Sequence, residues 1–293
     1  MVLPSRSFSM VNIAMPSQVM CMLEPFLVRA LVGALLTSII AATSGTFSVL
    51  RGLSFLISGV AHAAFGGVAL GIFLQEVVGV KWFHPLLGAL LFATIVAVGA
   101  GYAGEDGFTA RMEAAIGVIF AFSMSLAVLI MFYLPAEKIP LIWGFLFGDI
   151  LLLTNEDLFL LGAMTSLMIG FTIVFHREFT YIIFDPETAE AYGMRSRAYH
   201  YLLLILSALA IAAATKAVGA ILVYAVIVIP AATSALVGRS ISSIALMVFL
   251  IAICCQYLGL AASAVFQAAP SAVAGVLAAL IYLVILLAKR RSQ

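Results

Sequence analysis

Residues 53–78 read LSFLISGVAHAAFGGVALGIFLQEVV, an apolar run that one imidazole, His62, interrupts before Glu76. A run of about 20 apolar residues, wound as a helix, crosses the roughly 30 Å hydrocarbon core of a bilayer. Similar stretches occupy 26–50, 86–103, 115–134, 158–175, 201–217, 220–237, 244–266 and 272–287. Barely two residues separate 201–217 from 220–237, so the pattern predicts eight to nine spans. The piece 141–153, with Gly144, Gly148 and Asp149, is too short to cross and reads as a re-entrant or interfacial helix. Pro230 removes a backbone donor inside 220–237 and is expected to kink or interrupt that span.

Composition agrees. Hydrophobic residues make up 65% of the chain and charged residues 9%, and the mean hydropathy is +1.24. Soluble chains carry about 25% charged residues, and a soluble protein this apolar could not cover its surface. Disorder is excluded on the same ground. The expected fold is an all-α integral membrane protein, a polytopic helical bundle solvated by lipid. With a formal charge of +1 and no basic run, nucleic acid is not a partner. Cys21, Cys254 and Cys255 fit no disulfide or zinc spacing. Residues 1–21 lack the apolar core of a signal peptide and read as a flexible extension or a misplaced start. Residues 22–293 then form one transmembrane domain.

Basic residues orient it. With nine spans and the C-terminus in the cytoplasm, Arg51, Arg111, Arg177, Arg195, Arg197, Arg239, Lys289, Arg290 and Arg291 face inward. Arg6, Arg29, Lys81, Lys138 and Lys216 face outward, which satisfies the positive-inside rule and puts the N-terminus outside.

Two places carry a mechanism. The cytoplasmic loop 176–200 contains Phe184-Asp185-Pro186-Glu187-Thr188-Ala189-Glu190-Ala191-Tyr192-Gly193. Asp185 suits an N-cap, Pro186 the first helical position, Glu187 the positive end of the dipole, and Gly193 the helix stop. Phe184, Ala189 and Tyr192 offer an apolar surface, with Asp185, Glu187 and Glu190 as acidic contacts. Such a knob either docks in a groove of a cytoplasmic partner or packs under the bundle. His62 lies near mid-membrane, sharing a helix face with Ser58 and Gly66. Gly59, Ala61, Ala63, Ala64 and Gly67 allow another helix to approach. An ionisable ring at this depth faces a pathway as a metal ligand, or bonds a carbonyl on a neighbouring helix as a structural group. His84, His176 and His200 read as interface histidines, and Glu76, Glu113 and Asp149 as solvated span ends.

These residues resemble the permease subunits of the zinc/manganese/iron class of ABC importers. The resemblance runs from about Met22 to Leu287. It rests on Arg51-Gly52-Leu53-Ser54, His62-Ala63, Gly67-Val68-Ala69-Leu70, Phe147-Gly148-Asp149, Asp157-Leu158, Phe184-Asp185-Pro186-Glu187 with Gly193, Val218-Gly219-Ala220-Ile221-Leu222 and Ile229-Pro230-Ala231-Ala232. It implies a permease in a prokaryotic plasma membrane, as a homodimer or heterodimer, with two cytoplasmic ATPases and an extracytoplasmic metal-binding protein. No cofactor would be held permanently; the metal is cargo and ATP is used by the partner. Phe184, Asp185, Pro186, Glu187 and Gly193 would then form the coupling helix, and His62 the intramembrane metal gate. Family members commonly carry Asp four residues before that histidine, where this chain has Ser58. A hydroxyl is a poorer ligand for hard ions than a carboxylate, so the resemblance with this departure favours zinc over manganese or iron.

The chain has no Gly-x-x-x-x-Gly-Lys-[Ser/Thr] phosphate loop and is expected to be no enzyme itself. A secondary transporter or channel that runs without ATP is the alternative; it would need a relay of intramembrane charges. An intramembrane hydrolase ranks last, since no His-Glu-x-x-His motif occurs.

Overall fold

The computed structural model describes residues 17–104, 109–148 and 150–291. Asp149 and most of the 1–21 extension lie outside the described residues. The helices run in chain order as α1 (Ser17–Ile40), α2 (Thr46–Leu50), α3 (Ser54–Glu76), α4 (Pro85–Ala103), α5 (Thr109–Met131), α6 (Ile139–Phe147) and α7 (Asn155–Val174). They continue as α8 (His176–Phe184), α9 (Pro186–Ala191), α10 (Ser196–Val218), α11 (Val223–Val237), α12 (Ile241–Phe266) and α13 (Pro270–Arg291). A π-helical turn, Ala41–Gly45, joins α1 to α2, so one apolar segment continues over Pro25–Leu50. Among the described residues, eight segments are long and apolar enough to cross a membrane. The chain is an all-α, polytopic membrane bundle.

The ninth predicted span is α11, and it is shorter than expected. Its 15 residues rise only about 22 Å. A tight connection after α10 sets its start: Ala220 N–H donates to the Phe145 carbonyl at 3.0 Å and Ile221 N–H to Leu146 at 3.2 Å. Those bonds fasten it to the end of the short helix α6. Near its other end, Lys289 Nζ donates to the Leu236 carbonyl at 2.5 Å, level with the basic end of α13. The helix is not interrupted at Pro230. The helix runs through it, losing one ladder bond, and Ser234 Oγ takes up the Pro230 carbonyl at 2.8 Å.

Lys138–Glu76 (2.7 Å) and Lys216–Asp157 (2.5 Å) sit at the last residue of α3 and the last turn of α10, while Arg51 lies at the other end of α3, just after α2. Asp157 also serves the capping box of α7, accepting from Thr154 N–H at 2.9 Å. The predicted loop 176–200 is itself folded into α8, α9 and the start of α10.

Helix α3 sits at the centre, against α4 and α5. A Cβ on Gly67 would lie 2.1 Å from the Gly88 carbonyl oxygen, and one on Gly88 equally close to the Gly67 oxygen. The two backbones therefore touch, which only glycine permits. Against α5, a Cβ on Gly59 would meet Ile116 at 2.1 Å. Close approach fixes the rotation of α3, and that rotation decides where His62 points.

Candidate functional site

His62 lies eight residues into α3, about 12 Å along the helix from its start. Its Nδ1 is 2.8 Å from the Ser58 carbonyl oxygen, one turn back on the same helix. A carbonyl can only accept, so in this contact Nδ1 carries the proton and the Nε2 lone pair is left for another partner. The carbonyl expected on a neighbouring helix is thus on its own. The ring meets Phe120 of α5 edge-on, with centroids 4.8 Å apart.

Ser58 and His62 are half-buried, unlike Gly66, the third member of their predicted face, which α5 covers through Ser123. The face therefore opens toward the N-terminal half of α3. There the exposed Phe55 continues it. A histidine whose second nitrogen is fixed by a carbonyl is the common state of a metal-ligating imidazole. One imidazole and one hydroxyl cannot fill a coordination shell. Among the described residues, no group of three or more His, Cys, Asp or Glu side chains comes together.

The other histidines take separate roles. His84 caps α4, its Nδ1 accepting from Leu86 N–H at 3.3 Å. His200 lies on α10 near Arg51, with Nδ1 buried and without a hydrogen-bond partner.

Between α7 and α10, α8 and α9 form a pair of short helices at the position of the predicted knob. Asp185 Oδ1 accepts from Thr188 N–H at 3.0 Å and caps α9. Hydrogen bonds from Thr188 hold the exposed Asp185 carboxyl below the usual carboxylate range. Gly193, at φ +79°, ends the helix in a left-handed conformation that side chains resist. Two bonds close it there, Gly193 N–H to Glu190 (2.9 Å) and Met194 N–H to Ala189 (3.1 Å). The backbone positions of Pro186 and Glu187 belong to α9, and their side chains lie outside the described residues.

The knob's surface differs from the expected one. Ala189 is 1% exposed and belongs to the interior, whereas Phe184 is 63% and Tyr192 83% exposed. Glu190 stays exposed, as expected, and accepts from the buried Ser196 hydroxyl. A cavity of about 490 Å³ opens beside the knob, lined by Arg177, Glu178, Tyr181, Ala189, Tyr192 and Met194. Sequence reading missed the first three, although α8 is strongly amphipathic and Arg177 lies over the Tyr181 ring at 5.8 Å.

Comparison with known proteins supplies the lineage. Residues 23–289 match the model of the ABC 3 transport family. The manganese transport system membrane protein MntC of Listeria innocua is 29% identical, over 88% of this chain and 89% of its own length. The manganese import system permease protein ScaB of Streptococcus gordonii is 30% identical, over 88% of this chain and 90% of its own. Among solved structures, PsaBC from Streptococcus pneumoniae, in complex with Fab, superposes with a TM-score of 0.77 at 27% identity. That match covers 92% of this chain and 95% of the other. Matched along nearly its whole membrane region, the chain belongs to the ABC 3 transport family and is a multi-pass permease of the plasma membrane.

Proposed function

We propose that this chain is the permease half of an ATP-driven importer for divalent transition metal ions. It would work with separate cytoplasmic ATPases and an extracytoplasmic metal-binding protein. The observation that carries the reading is His62: part-way through the membrane, half-buried, its Nδ1 held by the Ser58 carbonyl and Nε2 left for a ligand. The relatives are named for manganese, and this favours manganese as cargo over the zinc preference drawn from Ser58. A hydroxyl replaces the family carboxylate, so water or a second copy of the chain has to complete the shell. A homodimer across a two-fold axis would bring two His62 rings and two Ser58 hydroxyls together.

On the cytoplasmic side, α9 is the segment we assign to the ATPase. Phe184 and Tyr192 are its apolar anchors, and aromatic residues of this kind dominate interface energetics. A gradient-driven carrier would need a chain of titratable groups; the contacts of His62, a carbonyl and a phenyl ring, provide none.

The test is ATP-dependent uptake of manganese and zinc in vesicles holding the complete importer, wild type against His62→Ala at matched protein levels. The expected outcome is manganese uptake that falls by about tenfold or more in the variant, as for loss of a metal ligand. Full uptake in His62→Ala would remove His62 from the path. Uptake that ignores ATP depletion would overturn the importer reading.

A further inference from the structure

One polar side chain, Arg51, bridges α8 and the start of α3. In a continuous helix the Ile182 carbonyl would accept from the backbone N–H of residue 186, but that residue is proline and has none. Instead Arg51 Nη1, from the turn between α2 and α3, donates to the Ile182 oxygen at 3.2 Å. Its positive charge also meets the negative end of α8, a favourable arrangement. Beside it, Phe47 of α2 packs edge-on against Phe179 of α8, with centroids 5.9 Å apart. Phe179 and Ile182 are both fully buried.

Either side of this joint the backbone is hydrogen-bonded. Toward the cytoplasm, Asp185 alone separates α8 from α9, and its N–H still bonds the Tyr181 carbonyl at 2.8 Å. Toward the membrane, the Arg51 turn is closed by Gly52 N–H to Val49 (3.0 Å) and Leu53 N–H to Ser48 (2.7 Å). Helix α3 begins at the next residue and carries Ser58 and His62. Burial presses the Arg51 guanidinium below its usual pKa, yet arginine keeps its charge at neutral pH.

We propose that Arg51 is a positioning residue for transport, the strut through which displacement of α9 and α8 is passed to the helix that carries His62. The inference rests on the reading of α9 as the ATPase contact and of the Ser58/His62 face as the metal path. Transmission needs a rigid element biased at both ends, and the joint described here connects two.

The test uses the complete importer in proteoliposomes, with Cys21, Cys254 and Cys255 replaced and Ser58→Cys as reporter. Maleimide labelling at position 58 is timed without nucleotide and after trapping with ATP and vanadate, while ATP hydrolysis and complex assembly are followed in the same samples. With Arg51 intact, the labelling rate should differ between the two states by about tenfold, the bias that one charged hydrogen bond can impose. Arg51→Ala and the milder Arg51→Gln should shrink that difference to less than about twofold while ATP hydrolysis continues, and Arg51→Lys should restore part of it. A merely structural role would lower assembly and leave the labelling ratio of surviving complexes intact. That result, or an unchanged ratio in Arg51→Gln, overturns the strut. If labelling ignores nucleotide even with Arg51 present, the reading of the Ser58/His62 face as the path fails, and the strut falls with it.

Discussion

At the scale of residues, position 58 decides what His62 can do. The Ser58 backbone carbonyl orients the imidazole, while its side chain stands where the family resemblance leads us to expect a carboxylate. Manganese, a hard ion, gains more from an added carboxylate than zinc, which is content with imidazole. Ser58→Asp should therefore raise manganese uptake relative to zinc by about tenfold in competition, the scale of a change in ligand set. The backbone bond to His62 would be kept. Competition uptake with both metals reads this directly, and an unchanged ratio would mean that the position 58 side chain does not face the ion. His62 could be singled out from sequence because an ionisable ring in a span is costly without a purpose. Its tautomer could not, because the choice of partner carbonyl depends on the rotamer.

At the scale of elements, the same chemical change should have opposite signs at two glycines. Gly67 of α3 faces the Gly88 backbone with no room for a methyl group, whereas a Cβ on Gly144 of α6 would meet nothing within 4 Å. Gly67→Ala forces two helices apart and should cost about 1–3 kcal/mol. Gly144→Ala should gain about 0.5–1 kcal/mol, from lower backbone entropy in the unfolded chain. Thermal melts in detergent would show the first variant below wild type and the second at or above it. Equal shifts would mean that α3 and α4 are not in backbone contact. The glycine-rich face of α3 was legible from spacing, as were the caps of α9, because both are local. Ala189 was misjudged as surface because a six-residue helix has too little periodicity to reveal its buried side. The uninterrupted α11 escaped notice for a related reason: α12 and α13 pack against it across Pro230, and the linear sequence records no neighbours.

At the scale of the whole molecule, the question is whether one chain or two make a path. A single chain offers one imidazole and one hydroxyl on a half-open face of α3, beside an α5 whose Val118, Phe122, Val128 and Leu129 are exposed. Two copies related by a two-fold axis would double the ligands and cover that face, and such symmetry is the commonest form of association. The two arrangements respond differently to dilution with an inactive subunit. If wild-type and His62→Ala chains are co-expressed in equal amounts and pair at random, a shared site functions only in the wild-type pairs. Uptake should then fall to about one quarter of the all-wild-type value. Separate paths, one per chain, would leave about half, because each wild-type copy would work whatever its partner. ATP-dependent manganese uptake in vesicles, normalised to total permease, separates these values, and a titration of the mixing ratio separates them further. A shared site gives a quadratic dependence on the wild-type fraction and independent paths a straight line. A straight line would return the Ser58/His62 face to lipid or to the interior of a single chain, and the proposed pairing of His62 rings would be wrong.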